Sequence, residues 1–323
     1  MYSLGIDIGG TKCAVVLGKA EIPENIDGFI LDRKSFQTDV KRGCKTVIDE
    51  IFSTVRTVLD RNKVKTEELI GIGISCGGPL NSKKGTVNRP PNLPDWDNVP
   101  VVKMCEERFG VKTVLCNDAN ACAVAEWRFG AGRGCENMVF LTFGTGMGAG
   151  LILDGKLYSG TNDMAGEVGH IRLCDNGPEG YGKKGSFEGF CSGGGLADLA
   201  RITAKEYILQ GKKSVLFENE NDVEKLNAKI VAEAMYKGDA FASEVYEKCA
   251  EYLGRGLSVI IDILNPEKIV IGSIYERNSE FFKTRINEII KKEALKESAA
   301  VCEIVPALLG DSIGDFASLG ILF

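Results

Sequence analysis

The chain has 323 residues, 44% of them hydrophobic and 26% charged, with a formal net charge of −6. This is ordinary globular composition, long for a single hydrophobic core, and its acidic balance excludes a general polyanion-binding surface, so no nucleic-acid partner is expected. No apolar run is long enough for a bilayer span and no secretion signal opens the chain, so no membrane partner and a cytoplasmic location are expected.

The first predicted element is a β-hairpin with a glycine tip, "LGIDIGGTKCAVVLG" (Leu4 to Gly18). It is not a Walker A loop, because the residues after the glycines return as a strand instead of opening a helix. Helical spacing then covers about Cys44 to Asn62, followed by a strand "IGIGIS" ending at Ser75 and a proline-rich loop "VNRPPNLPDWDNVP". A helix over about Val101 to Phe109 and a strand "KTVLCN" lead into a helix from Asp118 that stops at Gly130. "MVFLTFGTGMGAGLILDGK" (Met138 to Lys156) repeats the plan of the first hairpin, so the pair points to a duplicated domain with one glycine hairpin per lobe.

Further helices are predicted over about Gly195 to Gln210, Asp222 to Lys237 and Ala240 to Leu264, the last ended by Pro266. A strand "KIVIGS", a helix over Glu280 to Glu297 with a solvated charged face, a strand "VCEIVPAL" and a short helix from Gly314 complete the chain. Strands alternating with helices predict an α/β architecture. The 11 cysteines are scattered, with no C-x-x-C pair, and read as reduced apolar residues.

The 39 glycines cluster at turns between apolar segments, where backbone must approach something closely. At the first tip, Gly9 and Gly10 offer backbone N–H groups to phosphate oxygens, Thr11 and Lys12 add a hydroxyl and a cation, and Asp7 is placed to hold Mg²⁺. A plain tight hairpin is the competing reading. Asp118 follows Asn117 where a strand meets a helix, the edge at which open α/β sheets bind ligands. There it is either a base for a hydroxyl attacking a γ-phosphate or an ordinary capping acid, and position alone favours the cap. In "GEVGH", Glu167 and the sole histidine, His170, share a face if that turn is helical. "SGGGL" opens a helix with Gly193 and Gly194, a geometry suited to anions or a flat base, or simply a glycine-rich cap.

Together "GIDIGGTK", "GISCGGP", "NLPDWDNVP", "NDANACAVAE", "LTFGTGMGAGL", "AGEVGH", "SGGGL" and "NPEKIVIG" resemble, in order and spacing, the ROK family of sugar kinases and sugar-responsive regulators. The resemblance implies a two-lobed, actin-like (ribonuclease-H-like) duplicated fold with the active site in the cleft between lobes, the lobes being 1–117 plus 309–323 and 118–308. It implies ATP and Mg²⁺ as cofactors, with Asp7, Gly9, Gly10, Thr11 and Lys12 in one phosphate loop and Gly144, Thr145 and Gly146 in another. Asp118 becomes the general base. Gly78, Asn92, Asn117, Glu167, His170 and Glu188 become sugar ligands with it. The implied activity is glucokinase-like phosphorylation of a hexose, by a homodimer. The resemblance also covers kinases for N-acetylmannosamine, fructose or allose, and sugar-sensing regulators without catalysis. The regulators carry an N-terminal helix-turn-helix, whereas this chain begins at the first strand, which disfavours that expectation. Many members bind a structural zinc through the histidine and a C-x-C-G-x-x-G-C-x-E segment. Here the corresponding stretch is "EGYGKKGSFE" (Glu179 to Glu188), with all three thiolates replaced. No zinc is expected. Tyr181 and Phe187 are expected to pack this loop instead.

Overall fold

A computed structural model describes all 323 residues. Contacts divide the chain into two compact units, Met1–Phe140 with Gly150–Ala165 and Ala307–Phe323, and Leu141–Ala149 with Gly166–Pro306. No helix is long and apolar enough to cross a membrane, and all eleven cysteines are free.

The first unit is built on a sheet whose first strands, β1 (Tyr2–Ile8) and β2 (Lys12–Lys19), form the predicted antiparallel hairpin. β3 (Ile30–Gln37) pairs antiparallel with β2. It escaped the sequence reading because its polar–apolar alternation, with no residue fully buried, belongs to an edge strand. Helix α1 (Cys44–Asn62) lays Val47, Ile51, Val55 and Val58 on one face of the sheet against Leu4 and Ile6. β4 (Leu69–Cys76) runs parallel to β1, and the short pair β5 (Leu80–Asn81) and β6 (Thr86–Val87) follows it. α2 (Val101–Phe109) leads to β7 (Thr113–Asn117), parallel to β4, giving the order β3-β2-β1-β4-β7. Helix α3 (Asp118–Phe129) starts directly from β7.

The other sheet face is covered by α3 and the C-terminal helix (Ile313–Gly320), whose Phe129, Phe316 and Leu319 share a core. Glycines permit this: a Cβ on Gly5 would fall 2.2 Å from Ser318 Oγ, and one on Gly73 only 2.0 Å from the Ser318 carbonyl oxygen. Glu126, fully buried on α3, accepts the N–H groups of Ala131, Leu308 and Leu309 and so ties α3 to the returning chain. Contact therefore groups α3 with the N-terminal residues, whereas the sequence expectation began the second lobe at Asp118. The segments β8 (Met138–Leu141), β9 (Ala149–Leu153) and β10 (Lys156–Tyr158) complete the second predicted hairpin.

In the second unit, β11 (Glu179–Gly180) and β12 (Lys183–Lys184) make a small hairpin ahead of α4 (Phe187–Phe190) and α5 (Gly193–Leu209). The helix predicted over Asp222 to Lys237 is two, α6 (Glu220–Val223) and α7 (Ala228–Tyr236). The break occurs because Asn227 caps a new start, accepting the N–H groups of Lys229 and Ile230. α8 (Ala240–Leu264) has its predicted bounds and leads to β13 (Lys268–Ile271) and α9 (Ile274–Arg277). The predicted Glu280 to Glu297 helix is also broken, into α10 (Ser279–Glu293) and α11 (Lys296–Val301). There the Leu295 N–H leaves the helix ladder and donates to Asp262 on α8. β14 (Glu303–Pro306) pairs parallel with β13.

Candidate active site

In the first unit, parallel register brings Asp7 opposite Ser75 and Cys76 opposite Asn117, so β1, β4 and β7 end together. Their carboxyl edge holds most of the predicted residues. The hairpin tip is closed by the Gly9 N–H donating to the Lys12 carbonyl (3.1 Å). Buried Thr38, which sequence reasoning missed, buttresses it, donating its hydroxyl to the Gly9 carbonyl (2.6 Å) and its N–H to the Thr11 carbonyl (2.8 Å). Thr11 and Lys12 are exposed at the tip. A Cβ on Gly10 would fall 2.6 Å from the backbone oxygen of Asn92, so the glycine lets the proline-rich loop touch the tip.

Asp118 stands at the first turn of α3, but it is not the cap. Asn117 is, accepting the Ala119 N–H at 3.0 Å. That bond occupies Asn117 Oδ1 and leaves its amide nitrogen 3.0 Å from where a Cβ on Gly78 would lie, so Gly78 makes room for it. Asp118 Oδ1 also accepts the Ala119 N–H (2.8 Å), and Oδ2 lies, with the Asn92 side chain, beside Gly77. Asp7, Asn92, Asn117, Asp118 and Gly78 thus converge. Burial of its carboxyl pushes Asp118 above the ordinary carboxylate range, although the residue as a whole is exposed. Burial, then the neighbouring charges of Asp118 and Asp315, push Asp7 up to about 7 against the pull of Lys12 and Ser75. Gly314 lies against the Asp7 carboxylate. Its role was hidden because only the fold brings the C-terminal helix to this edge. A buried carboxylate crowded by acids, beside a cationic glycine turn, fits a divalent cation carried with a polyphosphate.

In the second unit, the loop Gly144-Thr145-Gly146 is held by the Gly193 N–H donating to the Gly144 carbonyl (2.7 Å). Gly193 is therefore occupied, while Gly194 and Thr145 are exposed. Ser192 caps α5 by accepting the Gly195 N–H (2.9 Å). Glu188, expected only as a sugar ligand, accepts the Met147 N–H through Oε2 (2.9 Å), an oxygen that a Cβ on Gly146 would approach to 2.8 Å. It therefore braces the loop and has its other oxygen left for a ligand. Val168–His170 is a single 3-10 turn, so Glu167 and His170, three apart, are aligned. Gly169 brings them to Glu188: its Cβ position lies 2.3 Å from the Met147 carbonyl and 3.2 Å from Glu188 Cβ.

The residues at the three thiolate positions of the family's zinc segment do not fit a zinc ion. Glu179 and Tyr181 are exposed, and Ser186 is buried capping α4 through the Gly189 N–H (3.1 Å). Cys174 donates to the Asn176 carbonyl (2.7 Å), and no three His, Cys, Asp or Glu side chains are arranged to hold a metal ion among themselves. Packing holds the segment instead. Phe187 is fully buried with its ring against Gly256 of α8, where a Cβ would meet it at 2.4 Å, and its N–H donates to the Ile171 carbonyl. Tyr181, by contrast, is 74% exposed. Elemental analysis of the purified protein is expected to find no stoichiometric zinc; one tightly held zinc per chain would overturn this.

The sequence profile of the ROK family matches residues 3–318. A glucokinase of Thermotoga maritima is 32% identical over 320 residues, 99% of this chain and 96% of that protein. The transcriptional regulator NagC of Escherichia coli is 28% identical over 86% of this chain and 66% of its own length. Among solved structures, a ROK family glucokinase from Streptomyces griseus, in complex with glucose and AMPPNP, superposes with a TM-score of 0.74 at 28% identity, covering 99% of each chain. The glycine tips, the Asn117–Asp118 helix start and the His170 turn all lie within the matched span, and with the profile covering nearly every residue, the chain has the actin-like duplicated fold and belongs to the ROK family.

Proposed function

We propose that the protein transfers the γ-phosphoryl group of ATP to a hydroxyl of a hexose, glucose or a close relative. The observation that carries this is Asp118, a carboxylate with raised pKa fixed at the start of α3 beside Asn92 and Asn117. Its raised pKa makes it a stronger base, while the Ala119 N–H and the helix dipole hold it as an anion. As the sugar oxygen bonds to the γ-phosphorus and the bond to the β-bridging oxygen breaks, the hydroxyl proton passes to Asp118 Oδ2. Asn117 donates its amide N–H groups to the sugar, with Asn92 and the half-buried backbone at Gly78 beside it. Glu167, His170 and the second oxygen of Glu188 are assigned to sugar hydroxyls as well.

The tip Gly9 to Lys12 is assigned to ATP phosphates, with Gly144 to Gly146 and Gly194 as the second nucleotide contact. Asp7 would hold Mg²⁺, which neutralises phosphate charge when bound. The similarity to glucokinases supports the sugar class. Cytoplasmic homodimers are part of the same reading.

ADP release measured over hexoses, N-acetylhexosamines and ketoses is expected to be fastest with glucose or a near epimer. A faster N-acetylmannosamine, fructose or allose would move the assignment to that sugar. Sugar binding without ADP release or ATP binding would instead favour a sugar-sensing regulator without catalysis.

A further inference from the structure

The hairpin β11–β12 stands where the zinc segment would be, and its tip is unusual. Tyr181 and Gly182 both have positive φ, 45° and 75°, the signature of a two-residue type I′ turn. Asn, Asp or Gly normally fills the first of these positions, whereas here it carries a tyrosine, and an exposed one. The base of the hairpin is fixed. Gly185 donates to the Pro178 carbonyl (3.0 Å) and Leu173 to the Gly185 carbonyl (2.8 Å), while Gly180 packs so closely on Ser186 and Gly189 that no side chain fits.

From this base, two side chains reach one target. Lys183 donates its ammonium to the His170 carbonyl (2.7 Å), and the Tyr181 ring meets the His170 imidazole edge-on, with centroids 5.3 Å apart and planes at 75°. The carbonyl that Lys183 engages belongs to the last residue of the 3-10 turn Val168–His170, which starts from Glu167. We propose that Lys183 and Tyr181 are positioning residues that hold His170 for the sugar in this chain, Lys183 fixing its backbone and Tyr181 bounding its ring. The link to sugar rests on the kinase reading; the positioning of His170 does not.

His170 is the only histidine, so the imidazole C–H signals of the whole protein belong to one residue. In Lys183→Met these signals are expected to broaden or split, and in Lys183→Arg to return to the wild-type form, because an arginine also donates to the carbonyl. Tyr181→Asn keeps a residue suited to the turn and is expected to leave the signals sharp but displaced, having lost the ring current. In steady-state kinetics, Lys183→Met is expected to raise the sugar KM about 10-fold, with the ATP KM unchanged and kcat little altered. Wild-type imidazole signals in both Lys183→Met and Tyr181→Asn would overturn the proposal, as would an equal loss with Lys183→Arg and Lys183→Met. If the imidazole responds as described but no sugar is bound or phosphorylated, the device stands and the kinase reading falls.

Discussion

Asp118→Asn is expected to lower kcat by about 10²–10⁴-fold while leaving the dissociation constant for sugar nearly unchanged, the size of effect that general-base removal produces. The substitution is isosteric. The new side-chain oxygen still accepts the Ala119 N–H that Asp118 accepts at 2.8 Å, and the Asn117 cap is untouched. Helix α3 therefore keeps its start, and what disappears is the site that receives the proton. Single-turnover rates with a saturating hexose, paired with calorimetric titration of the sugar, separate the two quantities. Near-normal turnover would remove Asp118 from the base role. Equal losses in binding and turnover would make it a sugar ligand only.

Much of the framework was legible because local chemistry and tertiary demand agree. α1 and α8 have their predicted bounds because each ends on a residue in the left-handed conformation, Lys63 and Asn265, and α8 opens on a capping Asp239. β3 was not legible, since an edge strand with Asp32, Arg33 and Lys34 has the composition of a loop. In the site, the residues were legible as a set but their divisions of labour were not. Asp118 looked like a cap from position alone, and only the structure shows that Asn117 fills that place. Gly10 and Asn92 touch although they are far apart in sequence, a proximity that no local pattern announces. Lys183 was invisible for a different reason. A lysine bonded to a backbone carbonyl leaves no spacing or composition to read, and the same residue among exposed charges looks solvated.

Asp7→Asn is expected to stabilise the first unit at pH 8 by about 2–4 kcal/mol while abolishing phosphoryl transfer. The sign follows from the direction of the shift. Burial, with the charges of Asp118 and Asp315, raises Asp7 from the model-compound value of 3.8 to about 7 in the folded chain. Between those values the folded state keeps a proton that the unfolded state releases. The contribution of Asp7 to stability is thus fully present below about pH 4 and is lost as pH rises through 7. Asparagine is neutral throughout, so variant and wild type should match below about pH 4, diverge in favour of the variant between about pH 4 and 7, and keep that difference at higher pH. Both tryptophans, Trp96 and Trp127, lie in the first unit, so their fluorescence during urea unfolding of the metal-free protein reports that unit alone. A variant less stable than wild type at pH 8 would show that Asp7 is well solvated or well paired as an anion. Because Asp118 is the leading charged contributor to the shift, Asp118→Asn should relieve part of the same cost, and the two substitutions together should stabilise by less than their sum. The fold would then be carrying two mutually repelling carboxylates at a cost to its own stability, the compromise expected where function requires both charges in one place.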